Sequence, residues 1–368
     1  MNQINSELHG RSKNIGYIPA LHHLRCLAAF LVFAHHYIRY YHFGWTPQPS
    51  LFWLGPITEG YTGVGLFFAL SGYLFTNISL HSAGEIHYWS FVKNRVLRIF
   101  PLYGFVFFLA ISLKPDNLHG ANIFDFLMSN LGSPISSSFI TGAAWTISIE
   151  FAFYLLFPFL VRFHRTEGAW FLPKLIGLLL AAKLGIFLSS ERADFAMYAS
   201  FIGRLDQFLI GMIAAFWAHE RKDSLRNHAK WLLPAAALAI YAALCLLARY
   251  ASMFGPPRQW AWLAWPTVEA ALWSAVIVAY VARPIAWPDW LDRLLQQGGE
   301  ISYSLYMLHF LVLVVLMGSV GLMPLTGSLW LDLALNAVPV TLLVWVLART
   351  GFAVIERPFL RLRGRYLD

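Results

Sequence analysis

The sequence predicts an all-α, polytopic integral membrane bundle of about ten transmembrane helices with both termini cytoplasmic. Three observations predict it. Of 368 residues, 58% are hydrophobic and only 12% charged, against the roughly 25% charged of soluble domains. Apolar runs of about 20 residues recur along the chain, each long enough for a hydrocarbon core of about 30 Å. Between them, lysines and arginines gather in alternate loops, the asymmetry that keeps positive loops inside.

The first span, about 18–41, contains Arg25 and paired histidines and is followed by no small-residue cleavage pattern. It therefore reads as a retained helix after a polar cytoplasmic arm over 1–17, not as a signal peptide. Spans at about 61–80 and 98–114 follow, the latter approached through Lys93, Arg95 and Arg98. Spans at about 142–162 and 171–188 enclose Arg162 and Arg165, and those at 198–218 and 230–248 enclose Arg221, Lys222 and Arg226. Spans at about 264–283, 301–320 and 330–355 complete the transmembrane domain (18–355), and 356–368 forms a basic cytoplasmic tail with Arg357, Arg361, Arg363 and Arg365. The outside loops then hold only Lys114, Arg192, Arg249 and Arg258. An odd number of spans would spoil that division.

The net charge of +8 thus reads as membrane topology with contact to anionic lipid, not as nucleic-acid binding, because no soluble basic face is formed. Cys26 and Cys245 both lie in apolar runs, so neither a disulfide framework nor a metal site is expected. No internal repeat or low-complexity tract stands out. The outside loops 42–60 and 115–141 are long and rich in Gly, Pro and Ser, suited to gripping something at the outer interface.

The polar residues of the first span carry more information. Arg25 and His36 are eleven residues apart, three helical turns plus about 20°, so they share one stripe roughly 16 Å apart along the axis. His22 and Arg39 sit near the same stripe, and His35 points about 100° away. A lone arginine near the bilayer centre costs about 2.5–3.5 kcal/mol even on the lenient insertion scale, so Arg25 either faces an internal cavity or snorkels to the interface. In the first case the stripe lines a tunnel with Arg25 in its inner half and His36 in its outer half.

Six stretches, in order, resemble the acyltransferase 3 family of membrane O-acyltransferases over nearly the whole chain. They are Arg25 and His36 with their ten intervening residues, "GVGLFFALSGYLF" from Gly63, "FVKNRVLRIFPLY" from Phe91, "WTISIEFAFYLLFP" from Trp145, "ISYSLYMLHF" from Ile301, and "ERP" from Glu356. His22, His23 and Cys26 stand where the family usually has an aspartate and two glycines, Gly65 where an aspartate is common, and Asn94 where a basic residue is common.

The resemblance implies transfer of an acyl group, most often acetyl, from cytoplasmic acyl-CoA to a hydroxyl of a carbohydrate-type acceptor. Acyl-CoA would be a co-substrate; no tightly bound cofactor and no metal is expected. His36 is the implied base, in direct transfer or through an acyl-imidazole. Arg25 would hold a CoA phosphate or polarise the thioester carbonyl, and Arg95 and Arg98, with Lys93, would cradle the nucleotide phosphates. Glu150 would orient His36 or balance Arg25. Trp145, Tyr306 and His309 are candidates for substrate contact. Ser302, Tyr306 and His309 fall on one helix face, lining the cavity or joining helices. Ser71 and Gly72 read as close helix packing, and Arg204 with Asp206 as a second intramembrane pair of structural kind. Trp45, Phe52 and Trp53 are outer-loop aromatics able to stack on sugar rings. The competing reading is a transporter or flippase using Arg25, His36 and Glu150 as a relay, against which the lack of paired halves counts. The short segment after the last span leads one to expect no fused extracytoplasmic hydrolase-like domain, so that the bundle would complete the transfer itself.

Overall fold

The computed structural model describes residues 14, 16–81, 85–113 and 145–367. Loop 115–141 and Lys114 therefore lie outside the described residues, as does most of the amino-terminal arm.

The described chain is an all-α bundle. Helix α1 is Pro19–Ile38, continued by a π-turn Arg39–Phe43. A 3-10 segment Pro49–Leu54 and the single turn α2, Gly55–Thr58, lead into α3, Thr62–Leu80. Then come α4 (Tyr88–Leu113), α5 (Trp145–Glu167), α6 (Phe171–Ser189), the short α7 (Ala193–Ala199) and α8 (Phe201–Glu220). The rest is α9 (Lys222–Tyr250), α10 (Ala261–Ala282), α11 (Asp289–Glu300), α12 (Ser302–Ser319), α13 (Leu329–Gly351), a second π-turn Phe352–Glu356, and α14 (Arg357–Arg361). Among the described residues, eight helical segments are long and apolar enough to cross a membrane. Helix α1 is not among them, because Arg25 and four histidines lower its mean hydropathy.

Two features depart from the expected spans. The third span begins at Tyr88, so its basic residues lie within the helix and their side chains are sorted by helical phase. The segment before the ninth span, expected as a loop, contains the amphipathic helix α11. It packs on the start of α1, where Tyr17 donates to Gln296 at 2.9 Å and His23 Nε2 lies 3.1 Å from Asp292. Gly299 touches the His22 carbonyl so closely that a Cβ would not fit. The tail read as 356–368 is docked on the bundle, and its Tyr366 N–H donates to Asn14 at 3.0 Å. The two ends of the described chain therefore meet at one face.

Helix α3 is the axis, packing most extensively on α8. Gly72 of α3 meets the Phe208 carbonyl and Gly211 of α8 meets the Ala69 carbonyl, neither leaving room for a Cβ. Such reciprocal small residues bring membrane helices to backbone contact, where dispersion replaces the missing hydrophobic drive.

The expected pairing of Arg204 with Asp206 is not formed. Residues two apart on a helix point about 200° from one another, and each takes a partner on a different neighbour. Lys183 of α6 donates to Asp206 at 2.6 Å, and Arg204 donates to Glu269 of α10 at 3.2 Å, all four side chains being fully buried. Thr267 also donates to Asp206, and Gln207 to Glu269 at 2.6 Å. Removing one member leaves a buried charge without its counterion, a loss of about 3–5 kcal/mol, whereas replacing a pair by apolar residues is often neutral. Lys183→Met is expected to lower the melting temperature in detergent, and Lys183→Met with Asp206→Leu to restore most of it. An unchanged midpoint in the single variant would refute the pairing.

Candidate active site

A cavity of about 560 Å³ enters the bundle from the face where the termini meet. One face of α3 forms its wall at helical spacing, through Val64, Phe67, Phe68, Ser71, Leu74, Phe75 and Ile78. Facing it are Arg25 from α1, Arg95 and Arg98 from α4, Glu150 and Tyr154 from α5, Tyr303 and Tyr306 from α12, and Arg363 after α14. Four guanidiniums against the carboxylates of Glu150 and Glu300 make the lining net positive.

Each cation has its own setting. Arg25 receives no hydrogen-bond acceptor among the described residues, and Glu150 and Tyr154 act on it only at longer range. Arg95 lies over the Phe75 ring at 4.7 Å, its Nε without an acceptor among the described residues. Arg98 donates to Glu356 at 2.8 Å and lies over Tyr303. Arg363 is half-buried beside Arg95 and Arg98, and its loss of solvent together with these two like charges holds its guanidinium down to about 9. The expected partners of Glu150 were His36 or Arg25. Its hydrogen bonds come instead from Ser71 Oγ at 3.1 Å and from the Tyr154 hydroxyl, because His36 lies on another level of the bundle.

Of the residues singled out in the sequence, Arg25, Arg95, Arg98, Glu150 and Tyr306 meet on this cavity. Lys93 is exposed and off it, since it points about 200° from Arg95 on α4 whereas Arg98 follows one turn later. Trp145 is also off it, tilted against Tyr198 with ring centroids 4.9 Å apart, while its neighbours Thr146 and Ile147 line it. Arg39 turns away to buried contacts with the Thr58 carbonyl and Glu59. Arg363, Tyr154 and Glu356 were missed; only "ERP" gave Glu356 a signal, and Arg363 was one basic residue among several in the tail.

His36 does not line the cavity, so the single tunnel expected to join it to Arg25 is not present. Tyr306 closes the inner end, its hydroxyl bonded to Thr146 at 2.9 Å and its ring against Phe67 and His309. Beyond that wall, His36 and His309 form a pair, with His309 Nε2 at 3.2 Å from His36 Nδ1. His36 Nδ1 also lies 2.9 Å from the Val32 carbonyl, and His309 Nδ1 lies 3.1 Å from the Leu305 carbonyl. A carbonyl only accepts, so both Nδ1 atoms carry the proton. His309 Nε2 then accepts from His36, leaving His36 Nε2 with a free lone pair. His36 is partly exposed, edge-on to Trp45 at 6.2 Å and Phe310 at 5.5 Å, while His35 beside it is buried. Among the described residues no group of three or more His, Cys, Asp or Glu side chains is placed to hold a metal ion.

The arrangement is chemically divided. One compartment offers cations at the terminal face and an apolar wall leading inward, fit for an anionic head on a long neutral arm. The other offers a neutral imidazole among aromatic rings. Ser71→Cys, in a background lacking Cys26 and Cys245, is expected to react with an anionic thiol reagent about ten-fold or more faster than with a cationic one of equal intrinsic reactivity, because a cleft of one sign concentrates counter-ions. Equal rates would refute the net positive cavity.

The acyltransferase domain model of the acyltransferase 3 family matches residues 18–350. The chain is 25% identical over 381 residues to acyltransferase MdmB of Streptomyces mycarofaciens, an alignment covering 95% of this chain and 93% of that one. It is 24% identical to YrhL of Bacillus subtilis (strain 168), provisionally named a peptidoglycan O-acetyltransferase, across 95% of this chain and 56% of the relative. It is 26% identical to SACOL0978 of Staphylococcus aureus (strain COL), provisionally named an O-acetyltransferase, across 82% of this chain and 51% of that protein. The chain thus spans nearly all of the first relative and about half the length of the other two. No solved structure matches it.

Proposed function

Because this chain belongs to the acyltransferase 3 family, we propose that it is an integral membrane O-acyltransferase that takes an acyl group, by preference acetyl, from acyl-CoA in the arginine-lined cavity and transfers it to a hydroxyl of a carbohydrate-type acceptor, such as a cell-surface or exported polysaccharide. One observation carries this reading. A cavity with cations at its mouth ends one side chain short of a histidine with a free lone pair. In this reading, which follows the positive-inside rule, the cavity mouth faces the cytoplasm and His36 lies toward the outer side of a bacterial inner membrane. The relatives' names support acetyl as the acyl group and a cell-wall or similar sugar as the acceptor class.

The residues divide the work by position. Arg95 and Arg98 hold donor phosphates at the mouth, where forked N–H groups match phosphoryl oxygens. The apolar wall of α3 accompanies the pantetheine arm inward. Arg25 and His36 are roughly 16 Å apart along α1, too far for both to contact one carbonyl. Arg25 therefore serves the donor's length, its charge balanced by Glu150, and His36 serves the reaction. For the thioester to meet His36, the Tyr306–Thr146 bond must open, and the freed hydroxyls then become donors for the carbonyl oxyanion.

At His36, Nε2 takes the hydroxyl proton as the acceptor oxygen bonds to the carbonyl carbon. The C–S bond breaks, and the proton passes to the departing thiolate. His309 accepts from Nδ1–H throughout and so stabilises the transient imidazolium, in the manner of a second group orienting a catalytic imidazole. A two-step version, in which Nε2 itself takes the acyl group first, uses the same atoms; a burst of CoA without acceptor distinguishes it.

His36→Ala is expected to lower acceptor-dependent CoA release by about 10²–10⁴-fold, the range of general-base catalysis, while leaving CoA binding intact. The measurement is thiol release from acetyl-CoA by purified protein, alongside mass spectrometry of host glycans with and without the gene. Full activity in His36→Ala would sink the assignment, and movement of a glycolipid with no CoA released would make the protein a carrier.

A further inference from the structure

We propose that the carboxy-terminal strap, residues 362–367, is part of the donor site and that Arg363 supplies a further guanidinium for the donor's phosphoryl oxygens. The inference deepens the reading of the cavity as an acyl-CoA site and rests on it.

Composition assigns this segment to topology: a run of arginines after the last span is what positive-inside sorting produces. The structure treats it otherwise. The chain leaves α14, turns back, and is fastened to the start of α4. Asn94, itself buried, donates to the Gly364 carbonyl at 2.8 Å and accepts from the Gly364 N–H at 3.0 Å. His87 N–H donates to the Tyr366 carbonyl at 2.9 Å, and Leu367 forms a bridge with Ile86. The Tyr366 ring is buried against Phe91 at 5.2 Å. A segment needed only for its charge would have no use for a buried tyrosine or a two-way amide clamp.

The clamp has a geometric consequence. Asn94 immediately precedes Arg95, so fixing Gly364 to Asn94 sets Arg363 in register with the α4 arginines, and Arg363 lines the same cavity as Arg95 and Arg98. Three like charges at one mouth repel. Glu356 pairs with Arg98 and also bears on Arg363, and Arg95 and Arg98 both press on Arg363, in a lining that carries more cation than anion. A polyanion entering there relieves the repulsion and meets guanidinium N–H groups from two directions, from α4 and from the strap, where Arg363 Nε is itself held by the Leu360 carbonyl at 3.1 Å. The ligand chemistry is thus a phosphorylated head larger than a single phosphate. Both a nucleotide pyrophosphate and an anionic lipid headgroup contain phosphoryl oxygens, and the test must separate them.

The quantity to measure is the affinity for CoA relative to pantetheine, which shares the arm but lacks the phosphates. Titration calorimetry on the full chain in a neutral detergent supplies it, with and without added phosphatidylglycerol. Arg363→Gln is expected to weaken CoA binding about ten-fold or more, the worth of a hydrogen bond to a charged group, and to shrink the CoA-to-pantetheine ratio equally. Arg363→Lys, which keeps charge but not the fork, should fall between, and gives the ratio even if the glutamine variant is not recovered folded. A merely structural role would weaken both ligands together and leave the ratio unchanged, overturning the proposal. If CoA binding is unaffected by Arg363→Gln but binding of phosphatidylglycerol is lost, the strap serves a lipid and the proposal falls. If the unsubstituted protein binds no CoA, the acyl-CoA reading fails, and the strap's role fails with it.

Discussion

A guanidinium on the first apolar helix is the constraint from which the rest follows. Arg25 sits nearly two turns into α1, where leaving it against acyl chains is costly. The bundle meets this by withdrawing protein from one face of α1. Helix α3 presents apolar side chains with a single hydroxyl there, α4 and α5 are set back, and the cavity that results carries more cation than anion. The buried ion pairs of α6, α8 and α10 then matter as scaffolding. They tie α8 to α6 and α10, and α8 backs α3, the wall along which any occupant of the cavity must lie.

The second organising feature is a wall one residue thick. The polar stripe of α12 crosses it: Ser302 and Tyr306 line the cavity, and His309 stands beyond, against His36. A single helix face therefore carries a polar path from the arginines to the imidazoles, interrupted only by the Tyr306–Thr146 hydrogen bond. That bond is of the ordinary kind, worth about 0.5–1.5 kcal/mol, weak enough for an entering ligand to offset by new contacts. A barrier of this size makes the connection conditional rather than absent.

Much of this was legible in the sequence, for reasons that can be stated. Apolar length located the spans, because lipid demands about 20 residues of satisfied backbone in every one. Helical periodicity placed Ser302, Tyr306 and His309 on one face and separated His35 from His36. Periodicity failed wherever a partner came from far along the chain. The bonds from Ser71 and Tyr154 to Glu150, the meeting of His309 with His36, and the split of Arg204 and Asp206 between Glu269 and Lys183 are decided by which helices become neighbours. Lys93 was indistinguishable from Arg95 and Arg98 until the helix was known to begin at Tyr88, which fixes the phase. Arg363 was hidden by its company, since four tail arginines look alike until Asn94 selects one by clamping the residue beside it.

Division into two compartments bears on the hardest problem such an enzyme faces, which is water. A thioester within reach of an imidazole base is open to hydrolysis as well as to transfer, and excluding water is how active sites suppress that side reaction. In the proposed reaction the cytoplasmic chamber is wet at its mouth and the His36 chamber is partly open on its far side, so a permanent tunnel would bring base, thioester and water together whenever donor was bound. The closed Tyr306 wall keeps the thioester on the side that has cations and no imidazole base aimed at it. Opening then couples transfer to occupancy, and the same two hydroxyls that seal the wall are released where an oxyanion would form. In the proposed reaction, sealing and catalysis are alternative uses of Tyr306 and Thr146, by which the bundle would load its donor from one face and react at the other without a continuous pore.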